Sequence, residues 1–401
     1  MSGAAVDREA GAGAAVAAAV EHCVQLLRER LGRQLIGVVL TGSFARGEGT
    51  VVAVGGHLRV LGDIEFLVIL PGRRDARALR PALARWSRQA SRTLRERLRV
   101  EVEFGPAEES YLRRRARPSI FVHELRTHGR VVCGPPDLLA RIPPFDAAQI
   151  PREDAVHLVF NRAIEQLEAW DRLDDLDDEA LLDVAYQRLK LRLDLAGSAL
   201  AFAGRHVSSY AQRPRALAAL LADTPPLAAR LPPTFGAAVE HAARAKLAPA
   251  RDDLIPPDPP GGPRAWVRAE ILRALPALTA VLRWELGCLL GGDAPLPELL
   301  DRWVRAQPWR RRARQWAKLA LHPMPAPLPL SARRAVRLAA RSTPRALTYA
   351  AGATACLALG GDGLARGATA RLLPLGGPAP ASAAEERAAI TAFWRWCLRN
   401  D

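Results

Sequence analysis

Lysine is almost missing from this chain. Of its 57 basic residues only Lys190, Lys246 and Lys318 are lysines, and all the others are arginines. Beside abundant Ala, Gly and Pro, that skew reads as coding bias in a GC-rich genome. The formal charge of +15 therefore does not by itself establish an anionic partner, although selection for one stays open. Cysteine is scarce and scattered, at Cys23, Cys133, Cys288, Cys356 and Cys397, with no CxxC pair. Neither a zinc site nor a disulfide framework is indicated, and a reducing, cytoplasmic location is expected. Aromatics make up 5% of the residues, while Ala, Leu and Arg dominate, which favours helix beyond the first third. Long apolar runs are also lacking. The least polar stretch, residues 346–361, is rich in Ala and Gly and shorter than the ~20 residues of a membrane span, so it reads as a buried helix. Asp7, Arg8 and Glu9 precede the N-terminal alanine run, which is not the basic-then-apolar order of a signal peptide.

What is present changes character along the chain. Residues 7–32 have helical spacing. Residues 35–40 (LIGVVL) form a short apolar run that ends in Thr41-Gly42-Ser43, as a buried strand feeding a tight turn does. β-Branched runs flank Gly55-Gly56 and predict a hairpin over 50–61. Residues 64–70 (IEFLVIL) read as a second buried strand, 75–98 as an amphipathic helix, and 100–104 (VEVEF) as a third strand stopped by Gly105-Pro106. A helix over 108–117 and a strand over 129–134 follow. Prolines cluster between 135 and 151, and beyond them strand signals vanish. Helical patterns cover 152–173, 178–204, 208–222, 235–247, 264–291, 296–320, 331–361 and 383–398, with a linker expected at 376–380. The fold class implied is α+β, a small mixed sheet followed by a large all-α region. Four segments are expected: an N-terminal helix (1–34), a sheet domain (35–140), a helical domain with a role in acceptor binding (151–291), and a C-terminal helical region (292–401).

The chemistry concentrates around Gly42-Ser43 and Asp63-Ile64-Glu65. Strand side chains alternate, so Asp63 and Glu65 face one side while Ile64 and Phe66 face the core. Two adjacent carboxylates repel, and burying them unpaired is costly. A divalent cation removes that cost, and Mg²⁺ is commonly held by one or two carboxylates plus substrate phosphates. Gly42 permits close backbone approach. Ser43 adds a hydroxyl and opens a helix whose N–H groups favour phosphate oxygens. Arg46, one turn on, reaches either a phosphate or Glu48. A third acid is expected on the 100–104 strand. Glu101 is preferred over Glu103 because it lies further from the Gly-Pro end, but spacing alone leaves both open.

The series Leu40-Thr41-Gly42-Ser43-Phe44-Ala45-Arg46-Gly47, then Asp63-Ile64-Glu65-Phe66, then Val100-Glu101-Val102 resembles the DNA polymerase β-type nucleotidyltransferase superfamily, including its minimal and aminoglycoside-modifying members. The resemblance spans about residues 35–135. Glu124-Leu125-Arg126 with 129–134 is similar to a stretch that follows the third acid in aminoglycoside-type members. The resemblance implies two Mg²⁺ ions (or Mn²⁺) and a nucleoside triphosphate donor, ATP first. It implies that Gly42 and Ser43, with Arg46, hold the triphosphate. Asp63 and Glu65 would bind metal, and Glu101 would be the metal-bound base. The Phe44–Gly62 spacer is longer than in compact members, so the hairpin either projects from the site or folds across it.

Several features have competing readings. The expected acceptor is a small hydroxylated molecule or sugar, then a protein side chain, then an RNA end. Lys190 and Asp194 either line an acceptor cleft or simply support a helix at i, i+4. Ser208-Ser209-Tyr210 is a further acceptor candidate, and the acids within 171–179 would suit a polycation. His123 and His128 read first as structural. Arg113-Arg114-Arg115 reads as a solvated face or a polyanion contact. The run from Trp309 to Trp316 interleaves aromatics and arginines, as a nucleic-acid or anionic-membrane patch does; a helix with both tryptophans on its buried side explains it equally. A catalytically inactive nucleotide-binding regulator of the same fold is the alternative function, and a nucleic-acid adaptor the third.

Overall fold

The computed structural model describes residues 3–321, 331–360, 369–374, 380 and 382–399. It divides into two compact units. The first comprises Met1–Pro151 with Ala203–Pro214 and Glu240–Pro257; the second comprises Arg152–Phe202, Arg215–Val239 and the chain from Asp258 onward. The first break falls at Pro151, at the end of the proline cluster where a boundary is expected. Two later segments, expected in the helical region, fold with the sheet, and residues 292–401 share one unit with the helices before them.

The first unit begins with α1 (Gly3–Leu31), β1 (Gly37–Leu40) and the single turn α2 (Gly42–Ala45). The hairpin β2 (Thr50–Val54) and β3 (His57–Leu70) follows, then α3 (Arg73–Leu94), β4 (Leu98–Glu108), α4 (Ile120–His128) and β5 (Arg130–Cys133). Strand β3 is the spine of a mixed sheet. Its first residues pair antiparallel with β2 and its last with β1, which in turn pairs with β5. Its other edge pairs parallel with β4. Gly55 and Gly56 both have positive φ, as a two-residue hairpin turn that matches strand twist requires. The hairpin thus lengthens the sheet along β3 rather than folding across it.

One sheet face carries Ile64, Phe66, Val68, Val100, Val102 and Phe104 into a core with α1 and α3. The opposite face carries Val39, Ile69 and Ala107 into a second core with Val122 and Leu125 of α4. Strand β4 is longer than expected. It runs through Gly105-Pro106, with Pro106 opposite Val68; β4 has no second strand neighbour, and an edge tolerates a residue without an N–H. The outward N–H groups of Val102 and Phe104 donate to Ser91 and Ser87 of α3, at 2.9 and 3.0 Å, which covers that edge. The helix expected over 108–117 is present but shorter, and it is π-helical over Tyr111–Arg115.

The second unit contains α5 (Arg152–Arg172) and α6 (Asp178–Phe202), then α7 (Arg213–Asp223), α8 (Pro225–Ala228), α9 (Phe235–Leu247) and α10 (Arg251–Leu254), of which α10 and the ends of α7 and α9 belong to the first unit. It continues with α11 (Gly262–Leu290), α12 (Leu296–Arg305), α13 (Trp309–Leu321), α14 (Ala332–Arg341), α15 (Pro344–Leu357) and α16 (Ala383–Arg399). Proline splits two stretches expected to be continuous: Pro308 separates α12 from α13, and Pro344 opens α15 after α14, because proline fits a helix's first turn but not its interior. The expected linker at 376–380 lies, but for Pro380, outside the described residues. α15 is buried along most of its length, and no helix among the described residues is long and apolar enough to cross a membrane.

Lys246 shows how the later segments join the sheet. Its side chain is 1% exposed. The ammonium donates to the Glu48 carbonyl at 3.1 Å and to Thr50 Oγ1 at 2.9 Å, and lies 4.9 Å from the centre of the Tyr210 ring. Replacing it strands buried acceptors, at about 1.5–3 kcal/mol for bonds to a charged group. Lys246→Met is expected to lower the stability of the first unit by about that much. Amide hydrogen exchange should quicken in β2 and in residues 240–257 ahead of the rest of the sheet.

Candidate metal centre

The parallel register of β3 and β4 assembles the acids. Asp63 lies opposite Glu101, and Glu65 opposite Glu103. Directly opposed residues of paired strands point to the same side, so all four carboxyl groups share one sheet face. Upstream, Arg59 lies opposite Arg99, so a basic rung precedes the acidic ones on that face. Between the rungs β3 bulges: Arg59 and Asp63 are four residues apart while their partners Arg99 and Glu101 are two apart. Gly62 in this bulge takes φ +97°. The bulge sets which rungs meet, placing Asp63 opposite Glu101 and Glu65 opposite Glu103.

Asp63, Glu65 and Glu103 each place a carboxylate oxygen within 4.8 Å of the other two. Glu101, the preferred third acid, is not in this group. Its neighbours on the side away from the cluster are Arg59 and Arg99, which offer its charge a more favourable direction. Burial, and then the Asp63 charge, push the Glu103 pKa above its ordinary value. A divalent cation would relieve that crowding, and an all-oxygen donor set suits Mg²⁺ or Mn²⁺. The residues therefore fit a hard cation.

Gly42 sits against the cluster. Its φ is +67°, and a Cβ there would lie 2.2 Å from Glu65 Oε2. The Thr41 N–H donates to the Glu65 carbonyl at 2.9 Å, and the Thr41 hydroxyl to the same oxygen at 3.3 Å. The bend and the acid are thus tied on both backbone and side-chain sides. Ser43 is half-buried beside them. Helix α2 spans only four residues, too short for the expected helix-end attraction to phosphate; what remains is a bend whose glycine lets the Glu65 carboxylate approach closely.

Of its two expected partners, Arg46 takes Glu48 rather than standing free for a phosphate. Its side chain is 4% exposed and bridges Glu48 at 3.3 Å and Glu124 at 2.6 Å, with its guanidinium 5.0 Å from the centre of the Tyr210 ring. Glu124 also faces His206 at 3.5 Å and Arg213 at 3.9 Å. Glu48 accepts from the Ser209 hydroxyl at 2.7 Å and the Tyr210 N–H at 3.0 Å. This network fastens the loop after the Gly42-Ser43 bend to residues 203–214. Ser209 and Tyr210 are therefore spent on anchoring. His123 stands edge-on to His206 and Phe145, a packing role.

The other candidates are also accounted for. Asp194, in the second unit, is 5% exposed and forms an ion pair with Arg162 at 2.8 Å, so it supports helix packing. Lys190 lies on the same helix, in the same unit. Within the acidic stretch, Asp171 binds Arg387 and Asp174 binds Arg268. Arg113 and Arg115 pair with Glu109 and Glu108. Sequence reasoning missed the Arg46–Glu124–Arg213 network; the nearest signal was the lone acid Glu124 among apolar helix residues.

No protein-family model, curated protein or solved structure matches this chain.

Two outcomes test this geometry. Gly42→Ala must push the Glu65 carboxylate aside and is strained at φ +67°, which lowers stability; a melting curve verifies that the variant folds. Mn²⁺ affinity, read by electron paramagnetic resonance, is expected to fall about 10–100-fold, the usual loss when a ligand's orienting neighbour changes. The second concerns Glu124. Burial alone would raise its pKa, but His206, Arg46 and Arg213 outweigh burial and hold it down at about 2. A pKa depressed on folding stabilises above the ordinary value near 4.5 and is lost as pH falls toward 2, here on the order of 3 kcal/mol. Thermal melts should show this loss between pH 4.5 and 2, and Glu124→Gln should flatten that slope while lowering stability at pH 7.

Proposed function

We propose that this chain is a metal-dependent nucleotidyltransferase that moves a nucleoside monophosphate from a nucleoside triphosphate, ATP first, to an acceptor hydroxyl and releases pyrophosphate. The observation that carries this reading is the triad of Asp63, Glu65 and Glu103 closed against Gly42. Its order along the chain is that of the polymerase β-type nucleotidyltransferase superfamily: strand, Gly-Ser bend, acidic-apolar-acidic strand, then a further acid on a neighbouring strand.

Asp63, Glu65 and Glu103 hold Mg²⁺ in this reading. Bound there, divalent cations neutralise the triphosphate and lower the pKa of the acceptor hydroxyl. Gly42 leaves the bend open to a phosphate approaching Glu65, and Ser43 offers a hydroxyl to its oxygens. The network of Arg46, Glu48 and Glu124 fixes the position of that bend, which matters because catalysis of this kind rests on placement. Glu103, on the strand beside Asp63 and Glu65, is placed to accept the acceptor proton. The acceptor oxygen forms a bond to the α-phosphorus, and the bond from that phosphorus to the β-phosphate bridging oxygen breaks.

The acceptor is proposed to be a small hydroxylated molecule or sugar. With Asp171 and Asp174 engaged by arginines, an acidic pocket for a polycation on that stretch is disfavoured. The test is a screen of labelled triphosphates with Mg²⁺ against small-molecule, protein and RNA acceptors. Asp63→Asn is expected to abolish transfer with the fold intact. Glu103→Gln should lower kcat by about 10²–10⁴-fold, whereas Glu101→Gln should change it far less. Equal pyrophosphate release by wild type and Asp63→Asn defeats the proposal; greater damage from Glu101→Gln reverses the assignment of the third acid.

A further inference from the structure

Between Asp301 and Asp362 the sequence contains twelve arginines and lysines and no acidic residue. Coding bias that turns lysine into arginine does not explain this, because it removes no acids. Two helices of the second unit, α13 and α14, lie wholly inside the stretch and pack side by side. Their inward groups are few and specific. Leu319 and Leu338 are buried, the Trp316 indole N–H donates to the Ser342 carbonyl at 2.8 Å, and Arg312 donates to the Ala340 carbonyl. Trp316 is thus held inward, but Trp309, expected on the same buried side, is 66% exposed.

The outward faces combine two properties rarely joined by chance. Arg310, Arg314, Arg333 and Arg337 are exposed, and none has an acidic partner among the described residues. Crowding is evident at Arg334, whose pKa is lowered by burial and then by the Arg337 charge. Amid these cations stand Trp309, Leu321 (76% exposed) and Val336 (72%), the three most exposed large apolar side chains among the described residues. A single-stranded nucleic acid would set its phosphates on the arginines and stack a base on Trp309, but it has no use for Leu321 and Val336. An anionic bilayer surface uses all of them: headgroup phosphates take the guanidinium forks, and the indole and aliphatic groups enter the acyl boundary.

We propose that α13 and α14 dock the protein on an anionic lipid surface, peripherally, with Trp309, Leu321 and Val336 inserted among the headgroups. The surface is independent of the acidic triad, so this docking and the transfer reaction stand or fall separately.

The experiment is co-sedimentation of the full chain with vesicles of phosphatidylglycerol and phosphatidylcholine, or of phosphatidylcholine alone. Binding is expected only with the anionic lipid, and it should weaken as salt rises from 0.05 to about 0.5 M. The combined substitution Arg314→Glu, Arg333→Glu, Arg337→Glu should reduce partitioning by about tenfold or more. Trp309→Ala should reduce it several-fold without altering the salt dependence. All four positions are exposed, and an unchanged melting curve verifies folding. Absence of vesicle binding overturns the proposal, as does binding that the triple substitution leaves intact. Binding indifferent to Trp309→Ala also overturns it, since any polyanion would then serve. Retention of a labelled RNA duplex without vesicle binding reassigns the surface to nucleic acid.

Discussion

Three carboxylates within a few ångströms repel one another, and the backbone here sets them side by side. Strand β3 presents Asp63 and Glu65 on one face because strand side chains alternate. Strand β4, paired parallel, sets Glu103 beside Glu65. The apolar residues between them are locked into the opposite core, so neither strand can turn its acids away without exposing Ile64, Phe66 and Phe104. A one-residue slip would carry the whole apolar set to the wrong face. The hydrophobic core thereby enforces an electrostatic conflict, and the Glu103 pKa is raised by desolvation first and by the Asp63 charge second. Gly42, with no side chain to interpose, lets the Glu65 carboxylate lie directly against the bend.

A bend bordering such a site must be held, because a shift of an ångström separates a productive geometry from an idle one. The fixing comes from outside the sheet. Arg46 and Glu48, just past the bend, are gripped by Glu124 of α4 and by residues 209 and 210, and Lys246 grips the carbonyl of Glu48. These groups are charged and buried, so they are stable only as a complete set; removing one member leaves the others desolvated and unmatched. The two later segments are for this reason part of the first unit's structure.

Local signals were legible in the sequence and distant ones were not. The alternation at 63–66 and 100–104, the Gly-Ser bend and the Gly-Gly turn each announce themselves within a few residues. The choice between Glu101 and Glu103 does not, because it depends on the bulge at residues 60–62 and on the Arg59–Arg99 rung, which only pairing register reveals. Arg46 looked like a phosphate ligand because its partner Glu124 lies 78 positions away. The passage of β4 through Gly105-Pro106 was hidden as well, since a proline reads as a strand end unless the strand is known to be an edge. Trp309 and Trp316 share a heptad spacing yet part company, one buried by a hydrogen bond to Ser342 and the other left in solvent.

Net charge misleads for the same reason that motif spacing does: it averages over distance. A total of +15 suggests a protein whose every surface favours anions, and it weighs against an acidic centre. Yet twelve positive charges fall in the acid-free stretch after Asp301, so the remainder of the chain is close to balanced. Fields from exposed charges are screened within about 10 Å at moderate salt. A carboxylate cluster on the sheet is therefore governed by its immediate neighbours, Arg59, Arg99 and one another, and not by the arginines of α13 and α14. The basic excess belongs to one stretch with its own exposed apolar residues, and the acidic triad belongs to another. Each has to be read from its own surroundings, and read that way the strongly positive chain and its negative centre are not in contradiction.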